Sequence, residues 1–115
     1  MEIFSLRRDS AAMKPLAHAL IERQSRPDRV APRIFAIREH LALSKAQFAD
    51  AIGLDRSSLT KIEKGEAGLD IAIAERIAAI FGFGLDFIYR GDLDDVPLAY
   101  RGSILSLMHT HRTTP

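Results

Sequence analysis

Four side chains between residues 56 and 61 have the right chemistry to read the edges of nucleic-acid bases. They are Arg56, Ser57, Thr60 and Lys61. Arginine can donate a forked pair of hydrogen bonds to O6 and N7 of guanine, lysine can donate to the same acceptors, and serine can serve several bases at short range. The threonine methyl group could contact thymine. These residue types fit base recognition, provided that one structural element presents them together.

A single helix would present these side chains on one face. We expect it to begin after Asp55 as N-cap and to end before Gly65. At 100° per residue, Leu59 and Ile62 point toward one side of this helix. The opposite side carries Ser57, Thr60, Lys61 and Lys64. Arg56 lies toward the edge of the polar side, so a phosphate is an alternative ligand for it.

A second, shorter helix is predicted immediately before this one. Ser44 and Gln47 have the spacing of a capping box, which starts a helix at Lys45, and Gly53 would end it. Its apolar face is formed by Phe48, Ala49 and Ile52. Two helices joined at a glycine, the second with an outward polar face, have the geometry that places a recognition helix in the DNA major groove. The same pattern would also suit ordinary helical packing.

A family resemblance is carried by the stretch LALSKAQFADAIGLDRSSLTKIEKG. It resembles the helix-turn-helix of the phage-repressor-like (Cro/Xre type) family in its Leu-x-Leu-Ser opening, the Phe-Ala pair, the glycine at the turn and the closing Glu-x-Gly. Downstream, the distance from Gly65 to Gly82 fits the fourth helix of that family, and GLDFIYRGD resembles its short fifth helix. The resemblance runs from Pro32 to Asp92. It implies an all-α, five-helix lambda-repressor-like DNA-binding domain with additional helical segments at both ends.

The resemblance divides the chain into three parts. They are residues 1–31 as an N-terminal helical extension and linker, residues 32–92 as the helix-turn-helix DNA-binding domain, and residues 93–115 as a C-terminal extension with a candidate dimerisation helix and a flexible tail.

Within the N-terminal part, apolar residues at helical spacing predict a helix from about Ser10. Its role is open between packing on the core, a dimer contact and a basic arm on DNA. The stretch 24–32, QSRPDRVAP, contains two prolines and is predicted to be a linker or turn, with Pro32 in the first turn of the helix that follows.

The resemblance also implies roles for charged residues around the two helices. An arginine and a glutamate at the positions of Arg38 and Glu63 pair between helices in the family, and the arginine also approaches a phosphate; two unrelated surface charges are the alternative here. Lys45 stands where the family commonly has a glutamine that binds the sugar-phosphate backbone, and we expect it to bind phosphate by charge. Lys64 and Ser58 complete the candidate phosphate-binding set.

Two positions depart from the family pattern. The loop 66–70 is acidic where the family loop is often basic, so Glu66 and Asp70 would repel a nearby phosphate, although Asp70 also suits the N-cap of the next helix. Gly84 replaces the usual Ser or Thr cap of the short fifth helix, which we therefore expect to be less well anchored.

The remaining elements are predicted from apolar spacing. A buried helix ending at Gly82 would present Ile71, Ala74, Ile77, Ala78 and Phe81. Asp92, Asp94 and Asp95 are interpreted as a solvated acidic turn. They do not form a calcium-binding loop, because the glycine and the closing glutamate of that motif are missing. A final helix would leave an exposed apolar stripe, which a second subunit could cover, through Leu98, Ile104, Leu105 and Leu107. His109 and His111 are interpreted as tail residues.

Composition narrows the class of protein. With 115 residues and 47% hydrophobic side chains, the chain is expected to form one globular domain. It contains no cysteine, which excludes disulfides and cysteine-based zinc sites. No segment resembles a signal peptide or a membrane span, so we expect a cytoplasmic protein.

The net charge is only +1, but it is unevenly distributed. Residues 1–33 carry seven basic and four acidic side chains, whereas residues 66–115 carry four basic and seven acidic ones. This asymmetry suits a protein that presents one end to phosphate, and a solvated surface would account for it equally well.

These observations predict a function without catalysis. The motifs of hydrolases, phosphate loops and zinc proteases do not occur, and we expect no enzyme activity, cofactor or metal. The predicted function is that of a sequence-specific transcriptional regulator, a repressor or autoregulator that binds a palindromic operator in double-stranded DNA as a homodimer. The alternative is an antitoxin-like or accessory module that uses the same domain to bind a protein partner.

Overall fold

A computed structural model describes residues 24–111, and all regular structure in that range is helical. Six α-helices follow one another: α1 Pro27–His40, α2 Lys45–Ile52, α3 Arg56–Glu63, α4 Ile71–Phe81, α5 Leu85–Arg90 and α6 Arg101–Thr110. Two short 3-10 turns, Leu93–Asp95 and Leu98–Tyr100, connect α5 to α6. The predicted all-α class is confirmed. The helix predicted from about Ser10 lies outside the described residues.

Helix α1 begins five residues earlier than the sequence pattern indicated. Pro27 occupies the first turn, where its missing N–H costs no helical hydrogen bond, and Pro32 lies inside the helix. Val30 and Ala31 are buried, at 2% and 0% exposure, so core packing offsets the bond that Pro32 cannot donate. The prediction of a linker over 24–32 is wrong for the part from residue 27 onward, and the expected boundary between residues 31 and 32 falls within α1.

The core is built around α1, which packs against α3, α5 and α6. Its Ile34 and Ile37 are completely buried. The other helices contribute fully buried side chains to the same cluster: Phe48 and Ile52 from α2, Leu59 from α3, Ile77 from α4, Phe87 and Ile88 from α5, and Ile104 from α6. The C-terminal helix is therefore part of the core that holds the helix-turn-helix.

The predicted caps of α2 and α3 are confirmed. Ser44 and Gln47 form a reciprocal capping box at the start of α2, and Gly53 ends that helix in the left-handed conformation at φ 76°. Asp55 accepts a hydrogen bond from the Ser58 amide at the start of α3. These local interactions fix where each helix begins and how the chain turns between them.

Helix α4 buries the predicted face at Ala74 and Ile77 but not at its first residue. It ends at Gly82 as expected, but Ile71 is 57% exposed and Ile73 is in the core instead. The inward direction is set by Ile77 and by Ala74, and Ile73 lies one turn before Ile77 on that side. The prediction was wrong for Ile71 because its spacing from the core residues points it outward.

Asp70 and Phe81 lie at the two ends of α4. Asp70 occupies the N-cap position, but its carboxylate accepts no capping hydrogen bond. Phe81 stacks on Phe48, with ring centroids 5.6 Å apart, and thereby ties α4 to α2.

A carboxylate distant in sequence caps α5. Asp95 Oδ2 accepts hydrogen bonds from the amides of Asp86 at 2.9 Å and Phe87 at 3.4 Å. A Cβ atom at Gly84 would lie 1.9 Å from this oxygen, so glycine makes room for the cap. The expectation of a weakly anchored helix is wrong, and so is the interpretation of Asp95 as part of a solvated turn.

The apolar residues around α6 do not form one exposed stripe. Ile104 is completely buried and Leu107 packs partly against the core. Leu98, which precedes the helix, is 77% exposed, and Leu105 is 43% exposed. The prediction of an exposed stripe is therefore wrong for Ile104 and Leu107, because that side of α6 covers α1. No helix in the described part of the chain is long and apolar enough to cross a membrane.

The remote cap of α5 can be tested by removing it. Asp95→Ala should lower the free energy of unfolding by about 1 kcal/mol, because two amides at the helix start lose their acceptor. The matched control is Asp94→Ala, since the Asp94 side chain is 90% exposed and makes only a 3.8 Å ion pair with Arg101. Urea unfolding measures both variants. Equal losses would contradict the capping role.

Candidate nucleic-acid interface

Helix α3 has one buried and one exposed side. Leu59 is completely buried and Ile62 is 5% exposed, so the helix is fixed to the core along this side. Arg56, Ser57 and Lys61 are exposed on the opposite side. The core therefore holds α3 in a defined orientation while its polar side stays accessible.

The four predicted base-reading residues lie together. An open depression of about 490 Å³ is lined by Arg56, Ser57, Thr60, Lys61, Lys64 and Glu66. Hydrogen-bond donors thus converge on one surface, as recognition of base edges requires. Glu66 introduces a carboxylate into the same surface, and its amide donates to the Lys61 carbonyl at 2.9 Å. The acidic loop predicted to disfavour phosphate therefore adjoins the recognition helix directly.

A buried ion pair connects α1 to the end of α3. Arg38 Nε donates to Glu63 Oε2 at 2.7 Å, and Arg38 Nη2 donates to Glu63 Oε1 at 3.1 Å. The side chains are 9% and 5% exposed. The hydrogen bond that Arg38 donates to Glu63 is the largest effect that raises the pKa of Arg38, and it outweighs the opposing effect of burial. This forked geometry matches a guanidinium to a carboxylate and fixes the two helices relative to each other.

The guanidinium of Arg38 has further partners. Its Nη1 donates to the Leu43 carbonyl at 3.0 Å and lies 3.1 Å from a carboxylate oxygen of Glu39. Its carbon Cζ lies 5.7 Å from the centre of the Phe35 ring. Every nitrogen of the guanidinium thus already contacts a protein oxygen, and this engagement limits what Arg38 can offer to a phosphate.

Ser58 is committed to the cap of its own helix. Its hydroxyl donates to Asp55 Oδ1 at 2.5 Å, and its amide donates to Asp55 Oδ2 at 3.4 Å. The hydroxyl bond is the main reason that the pKa of Asp55 lies below its ordinary value of 3.8. Ser58 is therefore poorly suited to bind a phosphate, because its hydroxyl already donates a hydrogen bond and the Asp55 carboxylate lies beside it.

The other phosphate candidates meet in a second depression, of about 220 Å³. Its charged and polar lining consists of Arg38, Lys45, Glu63, Lys64, Thr110 and His111. Lys45 comes from the start of α2 and Lys64 from the end of α3. The structure therefore brings together residues that are separated by 19 positions along the chain.

His111 belongs to this surface, although no local sequence pattern indicates it. Its Nε2 lies 2.5 Å from the Glu63 carbonyl oxygen, and its ring packs 5.0 Å from that of Phe35. The interpretation of His111 as a tail residue is wrong, because the end of α6 folds back onto α3. His109 lies on the exposed side of the last turn of α6, so the tail interpretation is wrong for it too.

A buried cation missed by the sequence interpretation lies away from this surface. Arg33 is 4% exposed and donates to the carbonyls of Ile88 and Gln24. Burial lowers its pKa to about 10. Arg33 thereby places a cation at the C-terminal end of α5, where the helix dipole is negative.

The interhelical ion pair is testable through stability. Glu63→Met should lower the free energy of unfolding by about 3 kcal/mol, because the Arg38 guanidinium would remain buried without its carboxylate. The double variant Arg38→Met/Glu63→Met should recover much of this loss, since no uncompensated charge remains. Glu66→Met, at an exposed glutamate in the loop that follows α3, is the control. Strictly additive losses in urea unfolding would sink the idea.

The cap of α3 is testable by pH titration. Because the pKa of the Asp55 carboxyl is lowered in the folded state, its contribution to stability is present above pH 3.8 and is lost as the pH falls through the folded value. Carboxyl-carbon NMR should give a midpoint below 3.8 for Asp55, and Ser58→Ala should raise it. Ser103→Ala, on another helix, should leave it unchanged. An Asp55 midpoint that ignores Ser58→Ala would contradict this account.

A family model described as helix-turn-helix matches residues 34–88, a range that begins within α1 and ends within α5. The chain has no match among the curated proteins or the solved structures. Because the family match contains both helices, the glycine turn and the partners that hold them, residues 34–88 form a helix-turn-helix of the Cro/Xre type, which supports a DNA-binding regulator.

Proposed function

We propose that this protein is a sequence-specific transcriptional regulator, a repressor or autoregulator, that places α3 in the major groove of its operator. The observation that carries the proposal is the convergence of four donor side chains on the exposed side of a helix whose other side is locked into the core. A helix presented in this way can enter the groove without rearrangement. The protein would act in the cytoplasm.

The residues divide into two roles. Ser57, Thr60 and Lys61 read base edges, and Arg56 either joins them or holds a phosphate at the edge of the helix. The second role, binding the DNA backbone, falls to Lys45, Lys64 and, more weakly, Arg38 and Ser58. Arg38 is already paired with Glu63, and Ser58 already donates to Asp55, so the two lysines should dominate.

A homodimer on a palindromic operator would supply the specificity. One domain of this size contacts too few base pairs for tight selective binding, and two copies would contact half-sites about one helical turn, roughly 34 Å, apart. In this proposal residues 32–92 form the DNA-binding unit. The dimer contact comes from the N-terminal segment or from the C-terminal residues 93–115, where Leu98 and Leu105 are exposed.

A protein-binding module is the alternative function, and Glu66 favours it. Its carboxylate lines the same depression as the base-reading donors and would repel a nearby phosphate. An antitoxin-like or accessory protein could use this mixed surface for a protein partner. Binding to duplex DNA that weakens steeply with salt separates the two functions, because only phosphate contacts release counterions in this way.

The proposed roles predict unequal effects of two lysine substitutions. Selection from a random duplex library should first enrich an inverted repeat. Lys61→Ala should then relax the preference at one base step, at a cost of about 1–3 kcal/mol on the selected site, because a base contact is lost. Lys45→Ala should weaken binding to all sequences alike and reduce the salt dependence.

Fluorescence anisotropy on the selected site and on single-base variants measures both effects. Arg90→Ala, at an exposed cation at the end of α5, controls for loss of charge alone. Uniform losses on every sequence for both lysine variants would refute the division of roles. No enrichment at all, with binding only at low salt, would favour the protein-binding module.

A further inference from the structure

The depression between α1, α3 and the end of α6 has a chemistry that the helix-turn-helix alone does not supply. Four of its charged residues come from the helix-turn-helix and the helix before it, and His111 comes from the end of the additional C-terminal helix. Residue 111 lies 23 positions beyond the family match, which ends at residue 88. The family pattern therefore assigns no role to it.

The charges around this depression do not cancel. Arg38 and Glu63 neutralise each other in their forked pair, and Glu39 contacts Arg38 from the outer side. The ammonium groups of Lys45 and Lys64 remain uncompensated by any ion pair in the described part of the chain. The surface between the start of α2 and the end of α3 is thus cationic.

The contact between His111 and α3 determines which nitrogen of the neutral His111 ring carries the hydrogen. The Glu63 carbonyl oxygen can only accept a hydrogen bond, so Nε2 of His111 must carry the hydrogen. The contact with Phe35 fixes the plane of the ring. In the neutral ring Nδ1 is then an acceptor, whereas on protonation it becomes a donor and the ring gains a positive charge.

From this arrangement we propose that His111 is the third cation of a binding site for a DNA backbone phosphate, together with Lys45 and Lys64, and that protonation of its ring strengthens the site. The inference rests on the proposed DNA-binding function. The groups that face His111 are Arg38 on α1, Lys45 on α2, and Glu63 and Lys64 on α3, with Thr110 beside it on α6. A phosphate anion between the lysines favours the charged ring, because opposite charges at close range stabilise each other.

A histidine-to-glutamine substitution tests the charge separately from the contact. In His111→Gln the side-chain amide can still donate to the Glu63 carbonyl, but it cannot gain a charge. His109→Gln is the matched control, since His109 lies exposed on the same helix two residues away. Affinity for the selected duplex would be measured from about 50 to 200 mM salt at about pH 6 and about pH 8.

The wild-type protein and His109→Gln should show a salt slope that is steeper at the lower pH by about 0.9 per half-site, or about a threefold larger loss of affinity over this salt range. His111→Gln should show the same slope at both pH values. A slope in His111→Gln that still steepens at low pH, or a wild-type slope that does not change, would overturn the inference.

A second measurement uses only the wild-type protein. The ring-proton NMR signals of His111 should shift when the duplex is added at constant pH, whereas those of His109 should stay in place. No movement of His111 with bound DNA would refute the phosphate site even if the glutamine variant failed to fold. Failure of the wild-type protein to bind duplex DNA at either pH would instead refute the proposed function itself.

Discussion

The buried pair of Arg38 and Glu63 is the constraint on which the rest of the interface depends. Both charges are removed from water, which costs free energy, and the forked hydrogen bonds offset this cost only in one relative placement of α1 and α3. An ion pair of this kind contributes orientation more than net stability. The exposed side of α3 can present its donors in a fixed direction, because Arg38 on α1 binds Glu63 in the last turn of α3.

Further contacts extend from this pair. Arg38 also binds the Leu43 carbonyl and so fixes the chain just before the cap of α2. The carbonyl of Glu63 meets His111, so the end of α6 docks where the ion pair closes. Helix α1 is thus the common support of the helix-turn-helix and of the C-terminal helix. The additional segment is integral to the surface that would meet DNA, because it contributes both core packing through Ile104 and a side chain at the depression.

The arrangement of charge explains how a chain of net charge +1 can present a cationic surface. Two acidic side chains near helix starts form hydrogen bonds within the protein: Asp55 caps α3 and Asp95 caps α5. Glu63 is neutralised in its ion pair, which leaves the lysines of α2 and α3 to face outward. Glu66 is the exception, since it lies among the candidate base-reading donors and places a carboxylate on the same surface.

The helix-turn-helix could be predicted from local sequence, because the interactions that define it are local. Ser44 and Gln47 are three residues apart, Asp55 bonds Ser58 three residues on, and Gly53 needs only its own backbone freedom. The helical period also predicted that the candidate base-reading residues share one side of α3, and these residues line one depression. The position of the Arg38 and Glu63 pair was available only through the family resemblance.

Other features depend on contacts between residues that are distant in sequence, and these contacts exist only once the helices pack together. Residues 27–31 are helical because Val30 and Ala31 reach the core, which a local pattern with two prolines does not reveal. Asp95 caps a helix that begins ten residues earlier, and His111 meets a carbonyl 48 residues away. Local spacing specifies what one helix can present, whereas packing on α1 determines which side is covered and which distant side chains meet.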